Sequence, residues 1–336
     1  MQRKGNQTYI FDNPPYIIGA YSVVGPKEAE GNFGDYYDLR LENDTFEEKS
    51  YEKAECKMHK TAMENAVNKA GLTFKDIDTI ISGDISNQIT ASSFSARGHD
   101  AMYLGLYSAC ATFGEAALVG SMLICGGFMD KLLCSTSSHF SSAERQYRYP
   151  LELGNQRPPA AQWTVTGAGA VVIAKTGKSG APRITGGTVG KITDLGITDV
   201  NNMGAAMAPA ACECLYTHFK ESGREPSYYD LILTGDLGKY GRDMTRYLLK
   251  EKGLDLPETF NDCGAMIFKD EQETFQGGSG AGCSSSVFAS FIYKQMSSGH
   301  LNKVLLVPTG ALLSKTSSEQ GESIPGIAHA ISIEVL

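Results

Sequence analysis

Polar, helix-forming segments and short apolar runs follow one another twice in the same order. A helical stretch near 54–70 leads through Gly71 to the apolar run Thr79-Ile80-Ile81-Ser82, and a second stretch near 205–222 leads through Gly223 to Leu231-Ile232-Leu233-Thr234. Short apolar runs bounded by turn residues predict buried strands, so each copy reads as a helix–Gly turn–strand unit. The two segments align without a gap. Gly71 through Ile85 falls on Gly223 through Leu237, matching Asp78 with Asp230, Gly83 with Gly235 and Asp84 with Asp236.

Further along, Gly127-Phe128-Met129-Asp130-Lys131-Leu132-Leu133 matches Gly299-His300-Leu301-Asn302-Lys303-Val304-Leu305. Carried backwards, that offset sets Ala109-Cys110 against Ala281-Gly282. Two correspondences in one order predict a duplicated α/β fold. Its halves are expected at 1–175 and 181–336, joined by Thr176-Gly177-Lys178-Ser179-Gly180.

The longest uncharged run, Ala116 to Met129, contains Gly120, Gly126 and Gly127 and falls short of the roughly 20 apolar residues of a membrane span. It predicts a helix buried within the protein, with Cys110 at its entrance. A thiol there would feel the positive end of the helix dipole, which lowers its pKa. It could equally be packing, because free cysteine behaves as a small hydrophobe. Catalytic partners elsewhere would decide.

Composition narrows the function. The 336 residues, 20% charged and 42% hydrophobic, describe an ordinary globular chain long enough for two domains. The formal net charge of −8 argues against nucleic acid or an anionic membrane surface as direct partner. The eight cysteines are scattered, mostly in apolar runs, and Met1-Gln2-Arg3-Lys4-Gly5 leads into no signal-peptide core, so reduced thiols are expected. Cys212-Glu213-Cys214 is too tight for a zinc finger, and no metal or cofactor is expected. Gly278-Ser279-Gly280 follows a polar segment rather than a buried strand, which argues against a dinucleotide fingerprint.

The duplicated layers, the helix-mouth cysteine and Thr166-Gly167-Ala168-Gly169-Ala170-Val171-Val172 resemble the thiolase superfamily, nearest its type III ketoacyl synthases. That resemblance implies a five-layered α/β/α/β/α fold and a homodimer. Several unusual segments are similar to the stage V sporulation protein AD family: Gly25-Pro26-Lys27-Glu28-Ala29-Glu30-Gly31, Glu144-Arg145-Gln146-Tyr147-Arg148-Tyr149-Pro150, Asn155-Gln156-Arg157-Pro158-Pro159, Gln162-Trp163-Thr164-Val165-Thr166-Gly167 and Asn202-Met203-Gly204-Ala205-Ala206-Met207-Ala208-Pro209. This narrower resemblance implies a protein of spore formers, peripheral on the inner spore membrane. It would bind dipicolinic acid (pyridine-2,6-dicarboxylate) and assist its uptake through the SpoVA membrane proteins.

The synthases act through Cys, His and Asn, because a cysteine alone cannot stabilise the developing oxyanion. Matched strand by strand, the histidine falls at Gly235, and the turn Gln276-Gly277-Gly278-Ser279-Gly280-Ala281-Gly282 carries no amide after Gln276. Pro308-Thr309-Gly310-Ala311 lacks the second cysteine of the thiolases. Of the six histidines, only His139 and His329 are expected near the pocket, neither at a motif position. A binding protein without catalysis is therefore expected, with a residual acyltransferase or thioesterase at Cys110 as the alternative. The expected ligand pocket comprises Asp84, Asn87, Cys110, Ser135, Thr136 and Gly282. Asp84 would meet calcium bound to the ligand or a protonated ring nitrogen, unless it only caps a turn. Asp236, its repeat mate, is expected to cap.

Overall fold

The computed structural model describes residues 1–148 and 150–336. Ten strands form its frame: β1 (Tyr16–Val24), β2 (Thr79–Asp84), β3 (Met102–Gly105), β4 (Lys131–Ser138), β5 (Gly167–Ala174), β6 (Pro182–Thr188), β7 (Leu231–Thr234), β8 (Phe260–Asp262), β9 (Lys303–Val307) and β10 (Ala330–Val335). Their spatial order is β8-β7-β9-β10-β6-β1-β5-β4-β2-β3. Read outward from the middle, each side runs in the same topological sequence. β1-β5-β4-β2-β3 corresponds to β6-β10-β9-β7-β8, with the same parallel and antiparallel pairings. The duplication expected from the repeat is thus present in the sheet itself.

One residue pair, Tyr16 with Arg183, joins β1 to β6. The principal helices are α1 (Tyr51–Lys69), α2 (Thr112–Cys125), α3 (Phe140–Tyr147), α4 (Met203–Ser222), α5 (Gly238–Glu251) and α6 (Ala281–Val287), which continues through a π-turn at Phe288–Ile292. α1 covers the first sheet and α4 the second, while α2 and α6 lie between them. The result is the five-layered thiolase-like α/β arrangement.

Local chemistry explains the outer helices. Ser50 caps α1 by accepting from Lys53 N, and Ala54, Met58, Ala62 and Ala66 repeat at fourth positions to form its buried face. Asn202 caps α4 in the same way through Ala205 N. α2 has no side-chain cap and is buried on most sides, as its apolar sequence requires. In the middle layer Phe113 meets Phe288 with ring centroids 5.6 Å apart, in a core fed by both sheets through Ile81, Val171, Leu306 and Ile331.

The segment 176–180 joins β5 to β6, and pairing crosses between the halves on either side of it. Strand Thr8–Ile10 adds to β6, and Trp163–Thr164 pairs with Gly278–Ser279.

Candidate functional site

Cys110 precedes α2 in a tight turn. Ala109 has φ +50°, Ala111 N donates to Ser108 O and Thr112 Oγ1 accepts from Ser108 N. The left-handed conformation at a non-glycine residue is strained and recurs at functional sites. Gly310 supports the turn from the second half. A Cβ there would stand 2.3 Å from Ser108 O and 3.1 Å from Cys110 N, so only glycine fits. The thiol faces Ser279 Oγ at 3.8 Å.

Ala109, Cys110 and Ser279 line an inner cavity of about 490 Å³ of empty space, its open mouth included. Its walls include Tyr107, Tyr147, Met203, Leu313 and the Glu144–Arg148 ion pair, closed at 3.0 Å. Both charged side chains are largely buried, with 10% of Glu144 and 6% of Arg148 exposed. The i,i+4 spacing on α3 and its end brings them together. Tyr147 donates to Ile85 O and lies within 3.4 Å of Tyr107, oxygen to oxygen. These two tyrosines and Leu313 also border an outer cleft, lined further by Asn87, Gln146 and Lys315.

Of the six expected pocket residues, Cys110 lines the inner cavity and Asn87 the outer cleft; the other four line neither. Asp84 is fully buried and accepts from Ser86 N and Ser92 N at 2.6 Å each, so it is a cap. Ser135 belongs to a buried network with Ser82 and His59 behind the sheet. Thr136 donates to Ala281 O. Gly282 lies at a helix–sheet contact, where a Cβ would stand 2.1 Å from Gly167 O. All four are taken up inside the fold: Asp84 and Thr136 by backbone groups, Ser135 by buried side chains and Gly282 by close packing.

Asp236 departs from its expected capping role. It lies at φ +76°, fully buried, and neither carboxylate oxygen has a partner among the described residues. The cap in this half is Asp262, which accepts from Leu237 N, Gly238 N and Ala265 N. Burial pushes the Asp236 carboxyl well above the carboxylate range, and the Asp262 charge pushes it further.

The dipole expected to activate Cys110 is outweighed. Burial drives the thiol pKa up, and the neighbouring Asp236 carboxyl, once ionised, adds to the shift. At neutral pH it stays a thiol and a poor nucleophile.

Among the described residues no histidine lines the cavity. His59 and His218 are both buried, His59 among serines and His218 between Thr188 and Tyr229, and burial lowers each to about 3. His139 binds Asp44 O through Nε2, and His329 accepts from Gly190 N. Ser279 faces the thiol from the glycine-rich turn that precedes α6.

Sequence reasoning missed Arg148 as a site residue. The signal was present in Glu144 and Arg148 four apart within an unusually composed segment.

Two halves of like topology with a helix-mouth cysteine between them define a thiolase-like fold, and solved structures agree. OleA of Xanthomonas campestris matches with a TM-score of 0.62 at 12% identity, over 97% of this chain and 100% of that one. The 3-oxoacyl-[acyl-carrier-protein] synthase III of Aquifex aeolicus matches with 0.57 at 14% identity, over 95% and 99%. At these identities the likeness is one of fold alone. The sequence places the chain more narrowly. Residues 5–334 match the family described as Stage V sporulation protein AD. The chain is 44% identical to Stage V sporulation protein AD of Bacillus subtilis (strain 168) over 334 residues, 99% of this chain and 98% of that one. It belongs to the stage V sporulation protein AD family and has a role in sporulation.

Proposed function

We propose that this protein binds dipicolinic acid in the Cys110 cavity and supports its uptake into the developing spore with the SpoVA membrane proteins, without transforming it. One observation carries the reading: a buried guanidinium, Arg148, stands in the cavity wall, and among the described residues no histidine lines the cavity. Guanidinium is matched to carboxylate by its planar fork of donors. The Ser279 and Tyr107 hydroxyls supply further donors, and the protonated Cys110 adds a soft contact without a charge to repel the ligand. Glu144 already holds Arg148, so a free dianion must displace it, whereas a neutral calcium chelate would present its metal to Glu144.

Among the described residues no helix is long and apolar enough to cross a membrane. In this reading the inner spore membrane is reached through the SpoVA proteins.

Calorimetric titration with dipicolinate, with and without calcium, tests the proposal. Arg148→Ala should weaken binding by roughly tenfold to a hundredfold, the effect of losing a charge-assisted contact. Cys110→Ala should weaken it less and leave the fold intact. The alternative, acyl chemistry at Cys110, predicts a mass increase on that residue after incubation with acyl-CoA. Such an increase, lost in Cys110→Ala, would overturn the binding-only reading.

A further inference from the structure

We infer that Arg157 is the second cation of the carboxylate site, and that it leaves the face of Trp163 to pair with the ligand's second carboxylate. The inference rests on the dicarboxylate reading of the Cys110 cavity.

Arg157 lies with its guanidinium carbon 4.9 Å from the centroid of Trp163 and 5.6 Å from that of Phe140. Those two rings stack at 3.8 Å, 6° from parallel, and Lys27 Nζ stands 4.4 Å from the Trp163 centroid. The Nε, Nη1 and Nη2 atoms of Arg157 are all buried, and none has a hydrogen-bond partner among the described residues. A ring face compensates part of a cation's charge but leaves its directed N–H donors without acceptors. Two comparable guanidiniums are placed differently: Arg148 pairs with Glu144 and Arg224 with Glu334. Burial brings Arg157 down only to about 10, so it stays charged at neutral pH.

Its position ties it to the cavity. Phe140, Glu144 and Arg148 follow one another at four-residue steps along α3 and its end, so they share one face. Arg157, set on Phe140 at the start of α3, therefore lies outside the cavity lining, at the foot of the face that carries Glu144 and Arg148 into the wall. It is close enough to feel repulsion from Arg148 and attraction from Glu144. A monocarboxylate is satisfied by Arg148 alone. A second carboxylate on the same ring supplies the acceptor that Arg157 lacks.

Trp163 is the chain's one tryptophan, so its emission reports whether Arg157 leaves it. Titration with dipicolinate should change that emission, and titration with pyridine-2-carboxylate should not. Dipicolinate should bind roughly tenfold or more tightly than the monoacid, the effect of one added charge-assisted pair. Arg157→Gln should abolish the emission change and bring the affinity ratio towards one, with monoacid binding unaltered. Arg157→Lys, which keeps the charge but not the fork, should retain part of the ratio. Should Arg157→Gln fail to fold, the unaltered protein decides, since unchanged emission or a ratio near one overturns the inference. A full ratio retained in Arg157→Gln also overturns it. If the unaltered protein binds no dipicolinate, the binding reading falls as well; dipicolinate binding with unchanged emission removes the role of Arg157 alone.

Discussion

Asp84 and Asp236 end equivalent strands in the two halves and have opposite environments. Asp84 accepts two backbone N–H bonds, whereas Asp236 sits in a left-handed conformation with both oxygens unpartnered, close enough to Cys110 to raise its pKa. Duplication copied the residue but not its surroundings. In the second half Asp262, from a neighbouring strand, took over the capping.

Asp84→Ala should therefore lower stability by about 1–3 kcal/mol, because it orphans two N–H groups beside a buried strand end. Dipicolinate affinity should not move. Asp236→Asn should behave differently, since asparagine tolerates the left-handed region and carries no proton to lose. The folded-state pKa of Asp236 is raised, so its contribution to stability is full below its unfolded value and is lost as pH rises through the folded one. Urea unfolding at acid and at alkaline pH should show Asp236→Asn gaining on the native protein as pH rises.

Glu28 predicts a second pH effect in a defined window. It is buried, with Oε1 accepting from Thr166 N and Oε2 unpartnered, and burial raises its pKa from 4.5 to about 7. Its stabilising contribution is complete below 4.5 and lost as pH rises through about 7. Glu28→Gln keeps an acceptor for Thr166 and should remove that loss. The gain over the native protein should reach on the order of 3 kcal/mol above the window, measured by denaturant unfolding across pH.

Gly282→Ala should lower stability by about 1–3 kcal/mol or more, since neither Gly167 O at 2.1 Å nor Ser138 N at 3.0 Å belongs to a side chain that can turn away. Gly127→Ala is the comparison. Its φ is +77° but nothing lies within 4 Å, so only backbone strain of about 1 kcal/mol is expected. The two urea midpoints separate a packing requirement from a conformational one.

The homodimer implied by family resemblance has a natural seam at β3, an edge strand whose Met102 and Leu104 are 57% and 41% exposed. Unpaired edges of this kind pair with a second copy unless a charge blocks them. Leu104→Lys is expected to halve the mass measured by light scattering. An unaltered protein already of monomer mass would refute the seam.

The sequence alone determined the architecture. The αβ repeat at Gly71 and Gly223, the apolar strands and the buried helix after Cys110 are local patterns, and period and burial decide local structure. Only the tertiary structure decided the site. Asp84 was readable as a strand end, but whether it faced a ligand or a backbone depended on where Ser86 and Ser92 were brought. The fate of Asp236 depended on Asp262, 26 positions further along the chain. Cys110 was visible, but not the burial that keeps it a thiol. Arg148 and Arg157 were visible only as letters in odd segments. Their partner or lack of one is set by how α3 packs against the Trp163 segment, and contacts between distant elements leave no periodic trace in the chain.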